Sequence, residues 1–169
     1  CVGFIELIRG VPLITLLFMA SVVLPLFFPP EMDFNKVVRA LVGITLFFSA
    51  YLAENIRGGL QGISKGQMEA AKALGLGYWK TMGFIILPQA LKIVIPPMVN
   101  NFIGILKDTS LVGIIGLTDL LQAAFAASSN PAWMGKIEEA YLFVAALYWI
   151  MCNGLSRFSR YLEEKYETH

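Results

Sequence analysis

The sequence predicts an all-α, polytopic transmembrane helical bundle, and three observations lead there. Hydrophobic residues fill 57% of the 169 positions and charged residues 15%, with a mean hydropathy of +0.67, which is far more apolar than an ordinary soluble domain. Several runs carry no charge over a length that crosses a hydrocarbon core of about 30 Å as a helix. Between these runs lies one polar, helix-forming segment. The balance of 13 basic and 12 acidic residues, net +1, provides no basic field for nucleic acid, so that partner class drops out and the lipid bilayer takes its place.

Reactive side chains are scarce. Cys1 and Cys152 have no CxxC or Cys/His spacing that would build a disulfide framework or a metal site. His169, the only histidine, is the last residue, which argues against imidazole catalysis and a histidine metal cluster. No catalytic residue, metal ligand or bound cofactor is therefore expected in this chain. The opening Cys1-Val-Gly-Phe, with neither methionine nor signal peptide, reads as a longer protein entered just before a hydrophobic span.

The first span is the uncharged run from Gly10 to Pro30. Pro12 fits its first turn, where a missing N–H costs little, and Pro25 should kink or end it. The Phe-Phe-Pro-Pro-Glu-Met-Asp-Phe-Asn stretch ending at Asn35 is a short polar loop. A second span runs from about Lys36 to Ile56, uncharged from Ala40 to Ala53, with Arg39 placed to snorkel at one end and Glu54 and Arg57 at the other.

Ser64 to Lys80 forms the polar middle, an amphipathic helix rich in Ala, Glu, Lys and Leu. Ser64 is its candidate N-cap and Gly75 or Gly77 its stop. Thr81 to Leu106 is a third span, interrupted by Lys92 and by Pro88, Pro96 and Pro97, and so expected to be bent. Lys107 to Gly135 mixes short apolar runs with Gly113, Gly116, Asp119, Asn130 and Pro131, which suits short or re-entrant helices. Ala140 to Ser156 is the last uncharged span, followed by a charged tail. Tyr148, Trp149 and Trp79 fit packing and interfacial anchoring, and the methionines fit flexible core filling.

If the spans alternate, Arg9, Arg57, Lys65, Lys72, Lys80, Arg157, Arg160 and Lys165 fall on one side, expected to be the cytoplasm. The polar middle and the C-terminus then face the cytosol, while the loop at Glu31 and the segment around Lys136 and Glu138 face outward.

One motif goes further. Glu69-Ala70-Ala71, three residues, Gly75, nine residues, Ile85, one residue and Leu87-Pro88 match the cytoplasmic loop signature of ABC importer permeases at every defined position. Glu-Ala-Ala and a glycine stop are ordinary helix composition by themselves; the spacing to Leu87-Pro88 is what makes the match specific. Glu6-Leu-Ile-Arg-Gly-Val-Pro-Leu13, Ala53-Glu-Asn-Ile-Arg-Gly-Gly59, Gln61-Gly-Ile-Ser-Lys-Gly-Gln67, Leu87-Pro-Gln-Ala90 and Lys107-Asp-Thr-Ser-Leu111 resemble the polar amino-acid branch of that family, nearest to the general L-amino acid permease subunits.

The resemblance implies a MetI-like ABC importer permease fold over residues 1–169 as a single domain, without the family's first helix, in a bacterial plasma (inner) membrane. It implies a coupling loop at about 64–80, with Glu69, Ala70, Ala71, Gly75, Leu76 and Gly77 docking on a separate ATPase. The chain has no Gly-x-x-x-x-Gly-Lys-Ser/Thr phosphate loop, so ATP and Mg are expected to be used by partner ATP-binding cassette subunits. A second permease subunit, in a heterodimer rather than a homodimer, and an extracytoplasmic substrate-binding protein complete the expected assembly.

A transported amino acid is a zwitterion and needs polar groups facing a cavity between helices. Glu54 is a candidate for its ammonium, and Asn100 and Asn101 for either end. Lys107, Asp108, Thr109 and Ser110 sit where a span breaks. Each has a structural alternative: Glu54 as a salt bridge to Arg57 three residues on, Asp108 as the cap of a helix starting near Ser110. The motif also leaves open an importer permease for another small solute. A passive channel or scaffold leaves the loop spacing unexplained, and a membrane-embedded enzyme lacks a histidine near Glu54 or Asp108.

Overall fold

The computed structural model describes residues 2–29, 35–133 and 135–167, and among the described residues every regular element is helical. The expected outer loop at Glu31, Cys1 and His169 lie outside that range.

Helix α1 (Val2–Arg9) turns into α2 (Leu13–Phe18), which continues through a π-helical turn, Met19–Val23, and a 3-10 turn, Leu24–Phe27. The two limbs meet at 98°. Pro12 does not enter the first turn of α2 as expected: it precedes the helix with φ −61° and ψ 144°. That extended residue, after Gly10 and Val11, carries the chain around the corner. Pro25 lies in the closing 3-10 turn, and the chain is extended from Phe28. The first span therefore ends where its proline removes a donor.

Helix α3 (Lys36–Gln61) starts at Asn35, whose Oδ1 accepts from the Val37 N–H at 3.0 Å. Helix α4 (Lys65–Ala73) follows, then α5 (Tyr78–Thr81), a π-helical turn at Met82–Ile86, α6 (Leu87–Asp108) and a 3-10 segment, Thr109–Ile115. From Tyr78 to Ile115 this is one helical stretch of 38 residues. The expected interruptions at Pro96 and Pro97 do not end the helix: both prolines lie inside α6. Two adjacent prolines withhold backbone donors from a single turn only, while Pro88 falls at the start of α6, just after the wide π turn. A π turn already departs from the i→i−4 pattern that Pro88 could not complete.

Helices α7 (Leu120–Ser128) and α8 (Ile137–Glu167) end the chain, with a 3-10 turn at Pro131–Trp133 between them. Among the described residues two elements are long and apolar enough to cross a membrane, Lys36–Gln61 and Tyr78–Ile115, or three if the bent pair Val2–Arg9 with Leu13–Phe27 is one span. The last expected span, Ala140–Ser156, is the middle of α8, which is not among them. Tyr141, Tyr148, Trp149 and Asn153 dilute its hydropathy, and charges flank it on both sides.

Helix α6 lies between α3 and α8; α1 and α2 pack on α3, and α7 packs on α8. Ile8, Leu13, Leu17, Ala40, Phe47, Ala50 and Ile115 form a buried cluster joining α1, α2, α3 and the 3-10 segment. A close approach of α3 and α6 lies at Gly59, where a Cβ would sit 2.2 Å from Val94 Cγ2 and 3.1 Å from the Ala90 carbonyl oxygen. Small residues permit such approach between membrane helices, where dispersion and not water drives association. Phe84, Leu142, Phe143 and Ile150 remain exposed, as side chains facing lipid or another subunit do.

Candidate coupling loop and substrate path

The polar middle folds as a helix closed at both ends by its own sequence. At the start, Ser64 Oγ accepts from the Gly66 N–H at 3.3 Å. At the end, the Gly75 N–H donates to Lys72 O at 2.9 Å and the Leu76 N–H to Ala71 O at 3.0 Å. This pair of bonds is the Schellman pattern and needs a left-handed residue, here Gly75 at φ +75°. Gly75 is thus the stop. Gly77 instead begins α5, its carbonyl accepting from both the Thr81 N–H (3.0 Å) and Thr81 Oγ1 (3.1 Å).

The six loop residues singled out by the motif divide by face. Ala71 is buried, Leu76 half-buried, and Glu69, Ala70, Gly75 and Gly77 exposed. Ala71 therefore seats the helix against the bundle, while Ala70 belongs to a free face with Ala73 and Leu74. Beyond the loop, Ile85 lies in the π turn and Leu87-Pro88 opens α6, so the motif spans a surface helix, its reversal and the re-entry of the chain.

The path candidates do not converge. Glu54 accepts from Arg57 Nε at 2.8 Å and pairs with Arg9 at 3.4 Å. The Arg9 guanidinium also lies 5.4 Å from the centre of the Tyr51 ring, a cation–π geometry. The Arg57 partner is the structural alternative weighed above; Arg9 was not foreseen, although both partners lie in segments that carry the family resemblance. Asn100 is exposed. Asn101, with Thr45, Phe48, Ser49 and Leu52, lines a cavity of about 240 Å³ between α3 and α6. Its Nδ2 is buried without a partner, as is Asn55 Nδ2.

Lys107 and Ser110 share a cavity of about 390 Å³ with Tyr141 and Tyr148 of α8. Thr109 Oγ1 and Ser110 Oγ donate back to Leu106 O (2.7 Å) and Lys107 O (2.8 Å), which occupies their hydroxyl hydrogens. Asp108 makes no side-chain cap, contrary to expectation. The capping aspartate is Asp119, which accepts from the Gln122 and Leu121 N–H groups at 2.9 and 3.2 Å, and from Tyr148 Oη at 3.4 Å. Its signal was the aspartate directly before an apolar run. Among the described residues no group of three or more His, Cys, Asp or Glu side chains could hold a metal ion.

Long apolar helices joined by a doubly capped surface helix with this motif define the class, a transmembrane subunit of a helical transport bundle. Residues 2–168 match the model of the family described as binding-protein-dependent transport system inner membrane component, and the chain belongs to that family. It is 58% identical to the inner membrane amino-acid ABC transporter permease protein YhdY of Escherichia coli (strain K12), over 98% of this chain and 45% of that protein. It is 51% identical to the glutamate/glutamine/aspartate/asparagine transport system permease protein BztC of Rhodobacter capsulatus, over 97% of this chain and 38% of that protein. The chain spans less than half the length of these two relatives. The crystal structure of an amino acid ABC transporter with histidines superimposes with a TM-score of 0.85 at 33% identity, covering 96% of this chain and 73% of that one. The fold is accordingly the all-α, MetI-like bundle of ABC importer permeases.

Proposed function

We propose that this chain acts in the transmembrane subunit of an ATP-driven importer that moves L-amino acids into the cytoplasm by alternating access. The observation that carries this reading is α4. Its exposed Glu69 and Ala70 and its Gly75 reversal offer a docking surface, and its continuation from Tyr78 to Ile115 is one helical stretch. A displacement of α4 would be carried along that lever rather than lost in a loop. Of two ATP-binding cassette subunits, which use ATP and Mg, one docks at Glu69 to Gly77; a second, different permease chain helps enclose the path; an extracytoplasmic binding protein delivers the amino acid. The excess of Lys and Arg at one set of helix ends supports placing α4 and the C-terminus in the cytoplasm.

The substrate class rests on what the relatives are named for. Polar groups for a zwitterion are available at Asn101 and at the Lys107–Ser110 segment, while Glu54 is engaged by two arginines and serves better as a tie between α1 and α3.

The test is ATP-dependent uptake of labelled amino acids by proteoliposomes holding the complete transporter. Uptake abolished by Gly75→Asp, with ATP hydrolysis retained, is the expected result. Hydrolysis without entry of any amino acid would reopen the substrate class, and ATP-independent flux would replace the importer by a channel.

A further inference from the structure

We propose that the cleft beneath α4 is a binding site for an anionic phospholipid of the leaflet that α4 faces. The cleft has a volume of about 450 Å³ and is lined by Leu60, Ile63, Met68, Met82 and Ile86, with Ser64, Lys65, Glu69 and Lys72. Its floor comes from the spans: Leu60 from the last turn of α3, Ile63 just after it, Met82 and Ile86 from the π turn that opens the next crossing. Its rim is polar and belongs to α4. Lys65, Glu69 and Lys72 stand at i, i+4 and i+7, along one stripe of that helix.

An apolar floor at the end of two membrane-length helices, under a rim carrying two cations and one carboxylate, has the amphiphilic shape of a phospholipid. Its charge complements an anionic headgroup. Neither lysine makes an ion pair with a described residue. Inorganic phosphate would leave the apolar floor unfilled, so the lipid is the occupant that uses the whole cleft. The rim shares Glu69 and Lys72 with the docking stretch Glu69 to Gly77, but the exposed Ala70, Ala73 and Leu74 of that stretch lie on another side of the helix, so an ATPase seated on them leaves the cleft to the lipid. The π turn gives the site a mechanical position, because the lipid would touch the junction between coupling helix and lever.

The proposal rests on α3 and Tyr78–Ile115 spanning the bilayer, and not on the substrate. The experiment is native mass spectrometry of the complete, delipidated transporter titrated with phosphatidylglycerol or phosphatidylcholine of matched acyl chains. The wild type should retain phosphatidylglycerol in preference to phosphatidylcholine. K65Q/K72Q should bind it about 30-fold more weakly, two lysines each acting near a headgroup, and K65R/K72R should restore it. Met82→Asn, which wets the floor, should weaken both lipids.

Equal phosphatidylglycerol retention by wild type and K65Q/K72Q would overturn the proposal. So would equal affinity for the two lipids, or displacement by soluble glycerophosphate at lipid concentrations. Retention only when the ATPase subunits are absent would assign the cleft to the ATPase instead. Lipid retention without amino-acid uptake leaves the site standing and sinks the transport reading; uptake with no lipid preference does the reverse.

Discussion

The crossing of α3 over α6 makes opposite demands on two adjacent glycines. At Gly59 an added Cβ would meet Val94 Cγ2 at 2.2 Å and Ala90 O at 3.1 Å; at Gly58 nothing lies within 4 Å. Carbon contacts are comfortable at about 3.5–4.0 Å, so Gly59→Ala requires a movement of more than an ångström at Val94. That side chain is buried and β-branched, with one strongly preferred rotamer in a helix, and the second obstacle is backbone. The helices themselves must separate.

Both alanines gain the same helix propensity, about 1 kcal/mol over glycine, so the difference between the variants isolates the overpacking cost of about 1–3 kcal/mol. That is roughly a 5- to 150-fold difference in the ratio of folded to unfolded protein. Titration of the purified protein with SDS in mixed micelles, followed by tryptophan fluorescence, measures it. Gly58→Ala should be neutral or stabilising and Gly59→Ala the less stable of the two. Val94→Ala should recover part of the loss in the Gly59→Ala background, as favourable coupling in a double-mutant cycle. Equal stability of the two glycine variants would refute the close crossing.

Two further outcomes follow from single contacts. Glu54→Gln removes the charge that both Arg9 and Arg57 address, and should speed hydrogen exchange across Val2–Arg9 while leaving α6 protected; reduced uptake with unchanged exchange would return Glu54 to the substrate path. Asp119→Ala strips α7 of its cap and should destabilise that helix by about 0.5–2 kcal/mol, seen as faster exchange at residues 120–128, with Asp119→Asn retaining most of the protection; Asp119→Ala exchanging like wild type would remove the cap from the account.

The long continuous helix bears on the mechanism. A proline-broken span would absorb movement of α4 at the break, whereas Tyr78–Ile115 places its only irregular turns at Met82–Ile86 and at Thr109–Ile115. Both lie at the ends of the apolar crossing. Counting prolines led to the expectation of interruptions, and what the count missed was their position: one at a helix start and two sharing one turn.

Much of the architecture was legible residue by residue. Hydropathy is additive along the chain, so the apolar runs located α2, α3 and, as Thr81 to Leu106, most of the Tyr78–Ile115 stretch without knowledge of any neighbour. Ser64 could be assigned and the stop narrowed to Gly75 or Gly77 because capping is settled within one helical turn, by one hydroxyl and one left-handed residue. The spacing from Glu69 to Pro88 pointed to the family for the same reason, since it records a single local excursion of the chain.

The contacts that join elements were of another kind. Arg9 reaching Glu54, Tyr148 reaching Asp119, Ala71 turned inward while Ala70 faces out, and Gly59 accepting Val94 all depend on how helices are rotated and where they cross. Those angles are set by close packing over many side chains at once, and a residue's own pattern in the chain does not encode them. Hydropathy could say that α3 and α6 are membrane helices; only their packed arrangement decided that Gly59 comes up against Val94.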